Sequence, residues 1–278
     1  MVPITATTCV DAWLQACAHL QGQRHDDFRD YRVLLEIANP LAMPPNDLAV
    51  VHLVDSFLSS HKAQPFNSVV NTIFPANLYR KHGASLMFKK YIKEVYPVIK
   101  AHPDFNWGTY AHRMFIRNDT KKGGEIRPLA DLIAKLKNQV AVTSSKRAAY
   151  ELSTIDPFVD IPTYEAAEDR GRIMGGPCLT HVSFKLTADK KLNLDAYYRS
   201  HYYIERALPN LIGLAYLLDF VAREAGTEAG SLFCNSSMAI IDIHPSAKDD
   251  RPKWSKKDVD NLLDTCSAAY AGEDKKAA

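Results

Sequence analysis

The segment best suited to chemistry is Gly175-Gly176-Pro177-Cys178. Glycines followed by proline set up a turn, and Cys178 then opens an apolar run that reads as a strand. A thiol attacks as its thiolate, so a nucleophilic cysteine needs a cation nearby to depress its pKa. Tyr198-Arg199-Ser200-His201 ends the next run. If the two runs pair, Arg199 comes close to Cys178 and favours the thiolate. A buried structural cysteine is the competing reading. A hydrolase-type pair of Cys178 with His181 or His201 is a third, although His181 lies an odd number of residues along the same strand and should face away. Of the other thiols, Cys17 falls on an apolar helical face and Cys234 in a core strand, which leaves Cys9 and Cys266 as the competitors in reactivity. The five cysteines form no CxxC and are odd in number, so they read as free thiols of a reducing compartment, with neither a disulfide framework nor a zinc site.

Period-two and helical patterns supply the elements that must hold these groups. Cys178–Leu186 and Leu192–Tyr198 are expected to form strands joined by a polar turn at Thr187–Lys191. Ala207–Ala225 reads as a long apolar helix closed by Gly226, and Ser231–Ile243 as a further strand. Ser255 caps a last helix, with Asp258 three residues on and Val259, Leu262 and Leu263 turned inward. The first half reads as helical. Val10, Trp13, Leu14, Cys17 and Leu20 recur at helical spacing, a helix follows Pro44-Pro45-Asn46-Asp47, another spans Ser85–Lys100, and Pro128 opens one more.

At 278 residues, 46% hydrophobic and 24% charged, the chain has ample material for a core, and a formal net charge of +2 gives no global reason to expect nucleic acid or a membrane surface as partner. The longest apolar stretch, Ala207–Ala222, contains Asn210 and Asp219 and is too short to span a bilayer. No linker separates two cores. The expectation is one mixed α+β domain over residues 1–271, a disordered tail at 272–278, and a cytoplasmic location.

Taken together, several segments resemble the thymidylate synthase family. They are Gly176-Pro177-Cys178-Leu-Thr-His-Val-Ser-Phe, Leu192-Asn-Leu-Asp-Ala-Tyr-Tyr-Arg199-Ser200 and Leu208-Pro-Asn210-Leu-Ile-Gly. That family places its nucleophile in a Pro-Cys pair, a phosphate-binding Arg-Ser at the end of the next strand, and a base-reading Asn eleven residues after the arginine, the spacing of Arg199 and Asn210. Trp107-Gly-Thr-Tyr110-Ala-His-Arg113 looks like the family's Gly-x-x-Tyr region, and Ser145-Lys146-Arg147 falls where the family's Ser-Arg-Arg reaches the partner subunit's phosphate. The resemblance covers roughly Trp107–Asp242.

It implies a thymidylate-synthase-like fold, a mixed sheet covered by helices with one sheet face used for homodimerisation. It also implies modification of C5 of a pyrimidine nucleoside monophosphate by methyl or hydroxymethyl transfer. Cys178 would add to C6 and Tyr110 would assist removal of the C5 proton. Arg199 and Ser200, with Lys146 and Arg147 of a second copy, would hold the phosphate, and Asn210 would read a uracil-type edge. The donor implied is 5,10-methylenetetrahydrofolate, without a metal. Several positions depart from the family pattern. Tyr202 replaces the aspartate that holds the folate ring, Val69-Val70-Asn71-Thr72-Ile73 stands where Ile-Ile-His-Glu-Leu carries the catalytic glutamate, and Ser236–Asp242 replaces the run that holds the sugar. A catalytically silent homologue that binds a nucleotide or a protein partner is therefore the alternative.

Overall fold

The two alternating runs pair as expected. In the computed structural model, which describes residues 2–23, 27–101, 107–118, 123–142, 148–155, 176–244 and 253–272, β6 (Leu179–Leu186) and β7 (Lys191–Tyr198) run antiparallel. Leu192, Leu194, Ala196 and Tyr198 are buried on one face. β5 (Glu151–Ser153) extends this pair on the β6 side. On the other side lies β9 (Glu228–Ile240), parallel to β7, which begins three residues earlier than the alternation predicts and stops at Ile240.

The first half is not purely helical. β1 (Val2–Ala6) and β2 (Arg29–Ile37) pair in parallel, and β2 lies antiparallel to β9. The sheet order is β1-β2-β9-β7-β6-β5, with β8 (His201–Tyr202) adding along β9 beyond β7. β3 (Arg117–Asn118) and β4 (Glu125–Ile126) form a separate ribbon. The architecture is a mixed sheet with helices, an α+β fold.

A crease crosses the sheet at one level. β7 leaves the ladder at Tyr198, opposite Ser236, and the chain rejoins it at His201, opposite Ala239. Inward burial on β9 skips in step, from Leu232, Cys234 and Ser236 to Ala239. On β2, Arg32 takes a left-handed φ of 59° between Tyr31 and Val33, whose partners are Met238 and Ser236. The inward phase slips by one residue on β7/β8 and on β9 together, so His201, and not Ser200, follows Tyr198 on the buried face.

Helices cover that face. α1 (Cys9–Gly22) starts at Thr8, whose Oγ1 accepts the Asp11 amide at 3.2 Å, and packs Val10, Trp13, Cys17 and Leu20 against β1 and β2. α2 (Pro45–Ser60) follows, then α3 (Phe66–Ile73) and α4 (Ala76–Lys90), the last kinked at Gly83. The helix expected over Ser85–Lys100 is interrupted: a π-helical turn, Tyr91–Val95, separates α4 from α5 (Tyr96–Lys100). α6 (Tyr110–Phe115) and α7 (Pro128–Val140) lead back to the sheet. α8 (Leu208–Ala225) is buried on almost every side against β7 and β9 and ends at Gly226 with φ 79°. α9 (Lys256–Ala271) carries the reciprocal Ser255–Asp258 capping box and packs on α2. Lys146, Arg147, Gly175 and residues 273–278 lie outside the described residues.

α3 and α8 meet at Gly213. A methyl group there would stand 3.0 Å from the Val70 carbonyl oxygen and 3.1 Å from Ile73 Cβ, closer than packed atoms normally approach. We expect Gly213→Ala to lower stability by about 1–3 kcal/mol, the usual cost of overpacking, in urea titration. A cost within error of zero would show that α3 yields freely.

Candidate active site

The crease opens a small cleft between α3, α6, the start of α8 and the Cys178 turn. Gly176, Cys178, Tyr110, Ser200 and Asn210 line it, together with His201, Tyr202 and Arg206 from the stretch between β7 and α8. Gln64, Val69, Thr72 and Trp107 complete the wall. Four residues chosen from the sequence thus meet at one place.

Cys178 sits just before β6, half-buried, and its carbonyl accepts the Arg199 amide at 3.0 Å. Tyr110 fixes the same turn from the other side: its hydroxyl oxygen accepts the amides of Cys178 at 3.1 Å and Leu179 at 3.3 Å. Both lone pairs of the phenol are thereby engaged and only its proton is left to give. Burial pushes the Tyr110 pKa up to about 12, although the two amides favour the phenolate. Tyr110 is therefore neutral, anchors the nucleophile's backbone by accepting two of its amides, and has one proton left to donate.

Local chemistry explains why Tyr110 arrives there. Gly108 has φ 93°, and a Cβ on it would lie 2.8 Å from the Tyr96 hydroxyl. Thr109 then caps α6 by accepting the His112 amide at 3.1 Å, and its hydroxyl also bonds Tyr91 Oη at 2.8 Å. Arg113 Nη2 donates to the Trp107 carbonyl at 2.7 Å, tying down the loop's start.

The charge around the thiol differs from the expectation. Burial raises the Cys178 pKa above its usual 9.0, and Arg199 and Arg206 offset only part of that rise. In the free protein the resting form is the thiol. Arg199 turns its Nε to the Pro177 carbonyl at 3.1 Å, beside the cleft wall. Among the described lining residues the guanidinium is that of Arg206, which bonds Gln64 and pairs with Glu205 at 2.8 Å. Arg206 was not singled out from sequence, yet it stands four residues before Asn210 and so on the same helical side.

Asn210 is not a helix N-cap. A π-helical turn, Tyr203–Ala207, precedes α8, and the cap of this turn comes from a distant strand end: the buried Asp242 carboxylate accepts the amides of Ile204 at 2.9 Å and Glu205 at 3.2 Å. Burial and the nearby Glu205 lift Asp242 to about 7. Asn210, inside α8, turns to His201.

His181 faces the open side of the sheet and bonds Glu151 at 2.8 Å, as its position along β6 predicts, which removes it from any pairing with Cys178. Val69 and Thr72 do reach the cleft, but the Thr72 hydroxyl donates to the Val69 carbonyl at 2.7 Å, and no carboxylate is among the described lining residues. Cys9 and Cys266 are not competitors in reactivity. Both are buried, and burial pushes the Cys266 thiol up to about 12 and that of Cys9 higher still.

Alkylation by iodoacetamide should therefore concentrate on Cys178, with a rate that keeps climbing through pH 9 as the thiolate forms. Arg206→Ala should slow it further at fixed pH, because a charge that favours the thiolate is lost. Mass spectrometry of labelled peptides between pH 7 and pH 10 reads both effects; a rate plateau near pH 7 would contradict the raised pKa.

No protein-family model matches the chain. A protein of Methanothermobacter thermautotrophicus named "Putative thymidylate synthase" is 35% identical over 127 residues, 45% of this chain and 50% of the relative. One of Methanothermobacter marburgensis with the same name is 36% identical over 109 residues, 39% of this chain and 42% of that protein. The chain thus spans half or less of the curated relatives it matches. The thermostable thymidylate synthase A of Bacillus subtilis superposes with a TM-score of 0.46 at 13% identity, covering 84% of this chain and 79% of that one. Over the stretches that align, the chain is similar to these two proteins named as thymidylate synthases.

Proposed function

We propose that the chain is a transferase that modifies C5 of a pyrimidine nucleoside monophosphate, with Cys178 as nucleophile. The observation that carries this reading is the convergence of Cys178, Tyr110, Ser200 and Asn210 on one cleft. The Cys178 sulfur forms a bond to C6, and the electron pair of the C5–C6 double bond makes C5 a nucleophile toward a one-carbon unit. The donor keeps the electron pair of the bond it breaks, water takes the C5 proton, and the Cys178 thiolate leaves C6 as the ring double bond re-forms. A formaldehyde-level unit gains water to become hydroxymethyl, and a methyl product requires a unit already at the methyl level or a hydride from its donor. Bringing the phosphate dianion close to Arg199 and Arg206 orients the ring, and the Tyr110 anchor keeps the sulfur on the ring face. Ser200 offers a hydroxyl to the phosphate, and Lys146 and Arg147 of a second copy are the residues proposed to complete that site.

The cleft tests the implied folate donor on its own chemistry. Trp107 and Tyr202 offer flat faces to a fused ring, but a pterin's amino-lactam edge calls for a carboxylate, and no described lining residue supplies one. The residues do not fit that group in the family's manner, so no step is drawn through it, and transfer of methyl or of hydroxymethyl remains the scope of the proposal. Thr72, standing where the resemblance places a glutamate, favours a second reading, a homologue that binds the nucleotide without turning it over.

A 5-fluoropyrimidine nucleoside monophosphate separates the two. Fluorine cannot leave C5 as a proton does, so with the one-carbon donor present an active site should retain a covalent adduct on Cys178, visible in intact-mass spectra and absent in Cys178→Ser. A nucleotide that protects Cys178 from iodoacetamide yet leaves no adduct would support the binding-only reading. If neither protection nor adduct is seen, the nucleotide proposal falls.

Helices cover one face of the sheet, and the other carries Leu34, Phe233, Asp195 and Tyr197, the last 41% exposed. We propose that this face joins two copies in an isologous contact. Light scattering should give a dimer mass, and Asp195→Arg at the face should shift it toward monomer. A wild-type mass that stays monomeric at every concentration would exclude the cross-subunit phosphate site.

A further inference from the structure

Asn210 is anchored from one side. Its Nδ2 lies 3.1 Å from His201 Nε2, and among the described residues this is its one polar contact. His201 is buried and stacked flat on Tyr198, with ring centroids 3.9 Å apart and planes 3° from parallel. Its other nitrogen, Nδ1, is 3.0 Å from Ser236 Oγ, which is in turn 3.1 Å from the Tyr203 hydroxyl.

Proton accounting fixes the direction of this chain. An amide nitrogen only donates, so His201 Nε2 accepts and a neutral ring carries its proton on Nδ1. That proton goes to Ser236 Oγ, which shares a further hydrogen bond with the Tyr203 hydroxyl. The opposite tautomer, with Nε2 protonated, requires Asn210 to present Oδ1 to the ring. Burial holds the imidazole pKa down to about 3, so the ring changes by tautomer and not by charge in the neutral range.

We propose that His201 is a positioning residue which, through its Nδ1–H tautomer, fixes the order of acceptor and donor that Asn210 shows to the cleft. With one Nδ2 hydrogen tied to His201, the amide keeps Oδ1 and its second N–H for the substrate edge. A uracil-type edge, a ring N–H beside a carbonyl, meets this order with two hydrogen bonds. A cytosine-type edge, a bare ring nitrogen beside an amino group, meets oxygen with a lone pair and N–H with N–H. An unanchored amide would turn over and accept either, so selectivity resides in the Tyr203–Ser236–His201 relay behind Asn210. The inference rests on the nucleotide reading above and adds to it what holds Asn210 in the order that a uracil-type edge needs.

The test uses the full-length protein and the uridine and cytidine monophosphates in both sugar forms, with binding followed by calorimetry. Wild type should favour uracil by at least about tenfold, the discrimination that one well-ordered pair of hydrogen bonds supplies. Ser236→Ala frees the tautomer and should bring the ratio toward one. His201→Phe keeps the stack on Tyr198, removes the anchor, and should do the same; it also guards against a Ser236→Ala protein that fails to fold. Nitrogen-15 spectra of histidine-labelled wild type, with the His201 signal identified by its loss in His201→Phe, should show Nδ1 protonated in the free protein. An Nε2-protonated ring, or an unchanged base ratio in variants that still bind, would overturn the inference and leave the nucleotide reading standing. A wild type that binds none of the monophosphates, with the Nδ1–H ring in place, would overturn the nucleotide reading and the selectivity with it.

Discussion

Backbone pairing along β9 holds the molecule together. This one strand is hydrogen-bonded to β2 on one edge and to β7 and then β8 on the other. It therefore joins the first half of the chain to the second. The helices take their places from it. α8 lies across β7 and β9 with α3 and α7 on its other sides, and α1 is drawn to the same face by Trp13, whose indole N–H donates to the Tyr203 carbonyl at 2.6 Å. The cleft is what remains where β7 breaks away from β9 and returns. Without that shared ladder, the Cys178 turn and the first turn of α8 would have no common frame.

Much of this was legible in the sequence because the relevant signals are local. Alternation in Leu192–Tyr198, glycine after Ala225, and serine three residues before Asp258 each report on their own neighbourhood. β2 was missed because its outward side carries Leu34 among charged residues, which blurs the two-residue period, and because Asp30, Arg32 and Glu36 weaken the apolar signal. The π-helical turns were missed since they keep helical composition and change only the bonding pattern. At the site, Cys178, Tyr110, Ser200 and Asn210 were found through ordered resemblance. Arg206, Ser236 and the part played by His201 depend on the phase slip, which pairing across strands reveals and a single strand does not.

The environment of Cys178 shows how a site can be assembled and still be at rest. Two arginines lie near enough to favour a thiolate, and burial outweighs them. An added positive field would move the thiol toward ionisation, whereas a ligand that displaces water desolvates the sulfur further and works the other way. The other four cysteines have no such partner cations among the causes that set their pKa values; burial is the largest cause that keeps them inert, with Asp47 adding to it at Cys9 and Asp242 at Cys17.

The crease also bears on how this sheet can change over generations. Its phase slip is matched: Tyr198 to His201 on one strand answers Ser236 to Ala239 on the next. Replacing Ser200 alters what the cleft displays without disturbing either ladder. Deleting Ser200 would turn His201 and every residue after it on β8 inside out, since neighbouring β9 would keep its own count. Substitution is therefore cheap at this bend while insertion and deletion are barred, so the reading edge of the site can drift in chemistry but not in length.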